Sequence, residues 1–281
     1  MSRRIPLMQA NAQALMNQYG IRPTKKRGQN FLIDEEVYER ILDTADLLDM
    51  DTVLEIGPGL GTLTGYLADE VQKVIAVELD KKLVELLRDT FVDHPTVAIV
   101  EGDILDQPVS VFGVQPPYKV VANIPYNITA PILRKFLVDD VQPTDMTLLM
   151  QREVGERITA KPGSMSILGI SVQLYGTPSL VDIVPARALL PPPEVESCIV
   201  RIDNIHPFPY TDISERDFWR VVKIGFSAKR KQLKNNLASG LDISINDVVG
   251  ALEKIGLLPT VRAQELSIMD WYEIVKLFSI K

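Results

Sequence analysis

Cysteine and histidine are almost missing from this chain of 281 residues, which has one Cys, Cys198, and two His, His94 and His206. A single cysteine makes neither an internal disulfide nor a thiolate metal cluster. The two histidines lie far apart in sequence, so neither a zinc site nor a His-based triad is expected, and no metal is assigned. Cys198 falls in the strand-like run SCIVRI, where a free Cys is expected to pack as a small apolar side chain. Long apolar runs are missing too. The longest are strand-sized, so no membrane span or membrane partner is expected. Two arginines near the start have no continuous apolar stretch behind them, unlike a secretory signal, and a cytoplasmic location is the default. No internal repeat or low-complexity tract is visible.

What is present is ordinary globular material, 46% hydrophobic and 24% charged, enough for one large or two unequal domains. Net charge is −7, which at first argues against a nucleic-acid partner. Its distribution argues the other way. Residues 1–33 hold Arg3, Arg4, Arg22, Lys25, Lys26 and Arg27 with no acid, and residues 218–241 hold Arg220, Lys223, Lys229, Arg230, Lys231 and Lys234 with no acid. Two basic islands on an acidic body are what local contact with a polyanion needs, although either alone can be a solvated face.

From Asp51 to about Asp203, short β-rich runs alternate with helix-length segments. The runs are TVLEI (52–56), KVIAVE (73–78), VAIV (97–100), KVVAN (119–123), MTLLM (146–150), SLVDIV (179–184) and SCIVRI (197–202). The first five are nearly continuous in apolar residues, which predicts a mainly parallel sheet buried on both faces. Too few residues separate the last two for a helical crossover, so they are expected to pair antiparallel. After the Pro-containing stretch IHPFPYTD (205–212) the periodicity becomes helical, and Ser244/Asp247 and Ser267/Asp270 have capping-box spacing. The expected domains are residues 1–205, an α/β domain with a basic N-terminal segment, and residues 206–281, a small helical domain.

The stretch VLEIGPGLGTLTGYLADEVQKVIAVELD puts Gly57, Gly59 and Gly61 between Glu55 on a strand and a helix. Such a loop lets a ligand lie against bare backbone, or is merely a tight turn packing helix on strand. The second strand ends at Glu78, where a carboxylate can accept both hydroxyls of a ribose. The G-x-G-x-G spacing is not the G-x-G-x-x-G of the pyrophosphate fingerprint. Asp103 follows the third strand, placed to accept from an adenine amino group. In an open α/β sheet these strand ends share one crevice.

Asn123 ends the fourth strand in VVANIPYNIT. An adenine amino group is a poor nucleophile, because its lone pair is delocalised into the ring. The Asn123 amide oxygen and the Ile124 carbonyl can accept its two N–H groups and favour a pyramidal nitrogen. Pro125 fixes the turn. Tyr126 can stack on the base, which is worth about 1–3 kcal/mol against the few kcal/mol of extracting a base from its stack. With a sulfonium methyl as electrophile, no general base is required.

These residues resemble the bacterial ribosomal small-subunit RNA adenine dimethyltransferases, the enzymes whose loss gives kasugamycin resistance. KKRGQNFLID (25–34), VLEIGPGLGTLT (53–64), VIAVELD (74–80), VEGDILD (100–106), NIPYNIT (123–129), MQREVGERI (150–158) and PPPEVES (191–197) are similar to family segments in the same order. The resemblance implies a Rossmann-like, S-adenosylmethionine-dependent methyltransferase domain with an all-helical C-terminal domain. It implies dimethylation of two adjacent adenosines near the 3′ end of 16S rRNA in the small ribosomal subunit, by a monomer. It places Asn30, Leu32, Gly57, Glu78, Asp103 and Asn123 on the cofactor, with Glu55, Gly59, Gly61, Leu79 and Ile104 beside them. Asn123, Ile124, Pro125 and Tyr126 would hold the base. Lys25, Lys26, Arg27, Arg152, Lys229, Arg230, Lys231 and Lys234 would contact RNA. Phe31 either packs under the cofactor or belongs to the core.

The family usually has Phe two positions before the PPP run, where this chain has Leu189. Leu189 is expected to wall the base without a π-face, so that Leu189→Phe raises the transfer rate or leaves it unchanged. Three other readings stay open. A large-subunit rRNA adenine methyltransferase of the macrolide-resistance type would label the other rRNA. A non-catalytic assembly factor would tolerate loss of Asn123. A nicotinamide dehydrogenase would need a dinucleotide fingerprint and a catalytic acid or base, and neither is visible.

Overall fold

The computed structural model describes residues 9–23, 28–139, 141–228 and 230–278. Among these are nine strands: β1 (Phe31–Leu32), β2 (Thr52–Ile56), β3 (Lys73–Glu78), β4 (Val97–Glu101), β5 (Lys119–Asn123), β6 (Met146–Gln151), β7 (Thr177–Val184), β8 (Leu189–Leu190) and β9 (Ser197–Asp203). Seven of them form one sheet in the order β4-β3-β2-β5-β6-β9-β7. The first five in that order are parallel, while β9 runs antiparallel to both β6 and β7. β2, β3 and β6 are buried from both faces as expected, whereas β4, also a near-continuous apolar run, lies at one sheet edge and is only half-buried. β7 lies at the other sheet edge, and its burial alternates along the chain as a one-sided strand should.

The chain divides into two compact units, residues 1–155 with 176–205, and residues 156–175 with 206–281. The sequence had put 156–175 in the first domain. In the structure this excursion between β6 and β7 is held by the helical unit. The Gly163 and Met165 N–H groups both donate to the Gln264 carbonyl, at 2.9 and 3.0 Å, and the Tyr175 hydroxyl donates to Glu215 at 2.6 Å. An apolar pattern cannot reveal such an exchange, because backbone carbonyls and a tyrosine hydroxyl carry it.

In the first unit, α1 (Gln9–Gln18), α2 (Glu35–Ala45), α3 (Thr62–Glu70), α4 (Lys81–Thr90) and α5 (Thr129–Val138) cover the sheet, and α6 (Arg152–Ile158) begins where β6 ends. Leu83, Val84, Leu86 and Leu87 line the buried side of α4. The second unit contains α7 (Ile167–Gln173), α8 (Glu215–Gly225), α9 (Leu233–Leu241), α10 (Ile245–Lys254) and α11 (Ile268–Phe278), with no strand among its described residues. Both expected N-caps form: Asp247 N–H donates to Ser244 Oγ and Asp270 N–H to Ser267 Oγ, each at 3.1 Å, and at Ser267 the N–H also donates to the Asp270 carboxylate at 2.8 Å, which completes the box there. Ser214 caps α8 in the same way, accepting from Asp217 N–H at 3.0 Å. Among the described residues no helix is long and apolar enough to cross a membrane.

Strand order positions the site. β3 and β4 lie on one side of β2, and β5 and β6 on the other. Chain direction reverses its march across the sheet between β2 and β5, so a crevice opens at their C-terminal ends. β9 is antiparallel, so its first residue, Ser197, arrives at that same edge opposite Gln151.

Candidate active site

A cavity of about 270 Å³ opens at this edge. Asn30, Leu32, Glu55, Gly57, Gly59, Glu78, Leu79, Asp103, Ile104, Asn123, Ile124, Pro125 and Tyr126 all line it. Residues spread over almost a hundred positions are thus brought into one pocket.

Two expected residues are not in its lining. Gly61 has φ +84°, and a Cβ there would meet the Leu87 and Phe91 side chains at 2.8 and 2.9 Å. Its bareness lets α3 approach the α4 side chains, so it shapes the loop by packing rather than by facing a ligand. Leu189 is 1% exposed, pairs with Leu32 and belongs to the core cluster of Val184, Ala188 and Ile199. It is buried and does not line the cavity. The structure reverses the expected outcome of Leu189→Phe: overpacking costs about 1–3 kcal/mol. The variant should lose roughly 2–10 °C in Tm, measured by thermal unfolding, and an unchanged Tm would contradict this placement.

Glu78 is 7% exposed. One of its oxygens accepts from the Leu79 and Asp80 N–H groups at 2.8 and 2.9 Å, and the other from Gly59 N–H at 3.2 Å. A carboxylate has about four lone-pair sites, so three backbone donors orient Glu78 and leave acceptor capacity toward the cavity. Burial still outweighs these three bonds and raises its pKa. Asp103 accepts from Leu105 N–H at 2.9 Å through Oδ1, which fixes its carboxylate at the cavity. Glu55 is 1% exposed and accepts from Thr64 Oγ1 at 2.6 Å; burial pushes its carboxyl up to about 8. Leu79, 58% exposed, forms an apolar lip. Glu55, Glu78, Asp80 and Asp103 are the acidic side chains among the described lining residues, and no Lys, Arg or His is among them.

At the far rim, the Asn123 side-chain amide donates to the Asn30 carbonyl at 3.0 Å. That bond uses Nδ2 and leaves Oδ1 as the group that can accept. Asn30 in turn donates its side-chain amide to the Pro191 carbonyl at 2.6 Å. Ile124 is 1% exposed and its N–H donates to Leu149 O at 3.0 Å, which extends the sheet one residue past β5. Pro125, with φ −55°, starts the short turn Tyr126–Ile128. The Tyr126 and Ser197 hydroxyls share a hydrogen bond of 2.6 Å, and burial raises the phenol's pKa.

Phe31 is 7% exposed, lines the cavity and also packs in the core cluster with Leu60, Leu83 and Phe91. Gly28, Ser197 and Tyr38 were missed. Gly28 has φ +61°, and a Cβ there would lie 2.6 Å from Asn127 Oδ1, so only glycine lets the GQNFL segment close on the NIPYN turn. A glycine directly before a polar, cavity-facing segment was the signal. Tyr38 donates its hydroxyl to the Leu32 carbonyl at 2.7 Å. Nothing in its helical surroundings distinguishes it from an ordinary core tyrosine.

Among the expected RNA contacts, Lys25, Lys26, Arg27 and Lys229 lie outside the described residues. Arg152 pairs with Glu196 at 2.8 Å. Arg230 and Lys231 are exposed and Lys234 is half-buried, all near the start of α9 in the second unit. Cys198 is fully buried. No group of three or more His, Cys, Asp or Glu among the described residues could hold a metal ion.

The model of the family described as ribosomal RNA adenine dimethylase matches residues 22–279. A ribosomal RNA small subunit methyltransferase A from Dehalococcoides mccartyi is 43% identical over 95% of this chain and 92% of its own length. The protein of the same name from Alkaliphilus metalliredigens is 35% identical over 95% of this chain and 96% of its own length. Among solved structures, the 23S rRNA methyltransferase ErmE superposes with a TM-score of 0.71 at 26% identity, covering 89% of this chain and all of that one.

Proposed function

The chain belongs to the ribosomal RNA adenine dimethylase family, and from that premise we propose that it dimethylates the 6-amino groups of two adjacent adenosines near the 3′ end of 16S rRNA in the small ribosomal subunit, with S-adenosylmethionine as methyl donor. The observation that carries the reading is a cavity charged only by carboxyls among its described lining, with an amide, a rigid turn and a tyrosine on its rim.

The donor set suits a cationic adenosyl ligand. The acidic lining would repel the pyrophosphate of a dinucleotide, although Glu55, with its carboxyl pushed up to about 8, adds little charge at neutral pH, and this also disfavours the dehydrogenase reading. S-adenosylmethionine, when bound, supplies an electrophilic sulfonium methyl. Glu78 would accept from a ribose hydroxyl, Asp103 from the adenine amino group, and Leu79 would cover the ring. Asn123 Oδ1 and the Ile124 carbonyl would accept from the target amino group and stabilise the positive charge that grows on its nitrogen. Tyr126 would stack on the base and hold it in line. Small-subunit relatives at 43 and 35% identity support this substrate over the large-subunit one, whose named neighbour is 26% identical.

The test is methyl transfer from labelled donor to small subunits that lack the modification, with nucleosides identified by mass. Two adjacent dimethyladenosines in small-subunit RNA are expected, and label confined to large-subunit RNA overturns the reading.

Arg230, Lys231 and Lys234 would lie on RNA phosphates. The Arg230→Ala, Lys231→Ala double variant should bind subunits with a salt slope shallower by about 1.5–2. An unaltered slope in a salt titration removes these residues from the interface.

A further inference from the structure

Ser197 is the first residue of β9 and is fully buried. The strand it opens, SCIVRID, is otherwise apolar up to Arg201, and a hydroxyl buried in such a run needs a partner. Its partner is the Tyr126 hydroxyl, 2.6 Å away. The antiparallel direction of β9 puts Ser197 at the catalytic edge of the sheet rather than at the opposite one. Register fixes it there from both sides, because Ser197 pairs with Gln151 of β6 and Val184 of β7.

Tyr126 stands differently. It is half-buried, lines the cavity and sits on a turn of three residues outside the sheet. Its backbone alone does not set the plane of its ring. The hydroxyl bond ties the far end of that ring to the most rigid element nearby. A ring anchored at both ends offers a fixed face, and a base that stacks on it need not order it first.

We propose that Ser197 is a positioning residue for methyl transfer, setting the plane of the Tyr126 ring that receives the target adenine. This rests on the function proposed above. Ser197 is not among the cavity-lining residues; it acts through the tyrosine.

The test is a double-mutant cycle of Ser197→Ala and Tyr126→Phe, which cut the same bond from its two ends while keeping the ring. Single-turnover transfer to under-modified small subunits is followed with KM for the subunit, donor affinity and Tm measured in parallel. Each single variant should lose about fivefold in rate, the worth of one neutral hydrogen bond. The double variant should also lose about fivefold, not about twenty-five-fold, because the second change finds the bond already gone. Donor affinity should stay unchanged and the loss should appear in kcat more than in KM, a split that general destabilisation would not produce. If Ser197→Ala fails to fold, Tyr126→Phe alone still decides, because a wild-type rate in that variant overturns the inference. Single losses that multiply in the double variant overturn it as well. An active wild type with either outcome leaves the proposed function standing. A wild type that methylates no subunit adenine overturns both.

Discussion

Asn123→Ala should lower the single-turnover rate of methyl transfer between roughly a hundred- and a thousandfold, the range seen when one preorganised hydrogen-bonding group is removed from a transition state. The argument begins at the Asn30 carbonyl. By accepting from Asn123 Nδ2 at 3.0 Å, it prevents the amide from flipping and leaves Oδ1 to face the cavity. A planar adenine amino group gains little from that oxygen. As the nitrogen turns pyramidal and positive its N–H bonds become stronger donors, so the oxygen contributes most at the transition state. The loss should therefore fall on kcat, with KM for the subunit nearly unchanged. Asn123→Asp should fall between wild type and Ala. It keeps an acceptor but has no N–H to give the Asn30 carbonyl, so the carboxylate loses its orientation. Rates measured for the three proteins, with donor affinity as a control, check the ordering. An Ala variant within tenfold of wild type would place the chemistry elsewhere.

Much of this site could be read from the chain alone because parallel α/β architecture makes strand ends converge. Knowing that Glu55, Glu78 and Asn123 end or nearly end apolar runs is enough to put them at one edge, once the runs are taken as parallel and adjacent. Asp103 follows by the same logic, just beyond β4. The failures share a different cause. Leu189 and Gly61 belong to familiar segments, yet the direction a residue faces is set by pairing and packing that spacing does not record. Leu189 turns inward because β8 pairs with β1, a ladder of two residues per strand that no periodicity can announce. Gly61 serves the helix above it, since Leu87 and Phe91 fill the space a side chain would need. Residues 156–175 were assigned to the sheet domain because the chain leaves and re-enters the sheet there. Only the bonds to Gln264 and Glu215 show which unit holds them. Ser197 was overlooked because its importance depends on β9 running backwards, and the pairing that was expected did not by itself say which end of the sheet the strand starts from.

Glu55→Gln should strongly change the pH dependence of stability. Glu55 sits on β2, 1% exposed, and receives a hydrogen bond from Thr64 of α3 at 2.6 Å. The titratable group that acts on it is the carboxyl of Glu78 on β3, which is not a cation. Burial is the main cause that lifts its pKa from 4.5 to about 8; Thr64 opposes the rise and Glu78 adds to it. The folded protein therefore keeps a proton that the unfolded chain has released. Glu55's contribution is fully present below about pH 4.5 and is lost as pH rises through about 8. Within that window the slope is about 1.4 kcal/mol per pH unit. A glutamine cannot ionise and still offers Thr64 an acceptor, so it removes this slope. Near pH 4.5 the two proteins should be of similar stability. At pH 9 the variant should be more stable by on the order of 5 kcal/mol. Glu78 is raised in the same direction and is coupled to Glu55, so the difference between the two proteins' denaturant midpoints reports Glu55 together with that coupling. Midpoints measured at half-unit steps from pH 4.5 to 9 should diverge steadily; if the two curves run parallel, Glu55 is ionised throughout and the cavity already holds its charge.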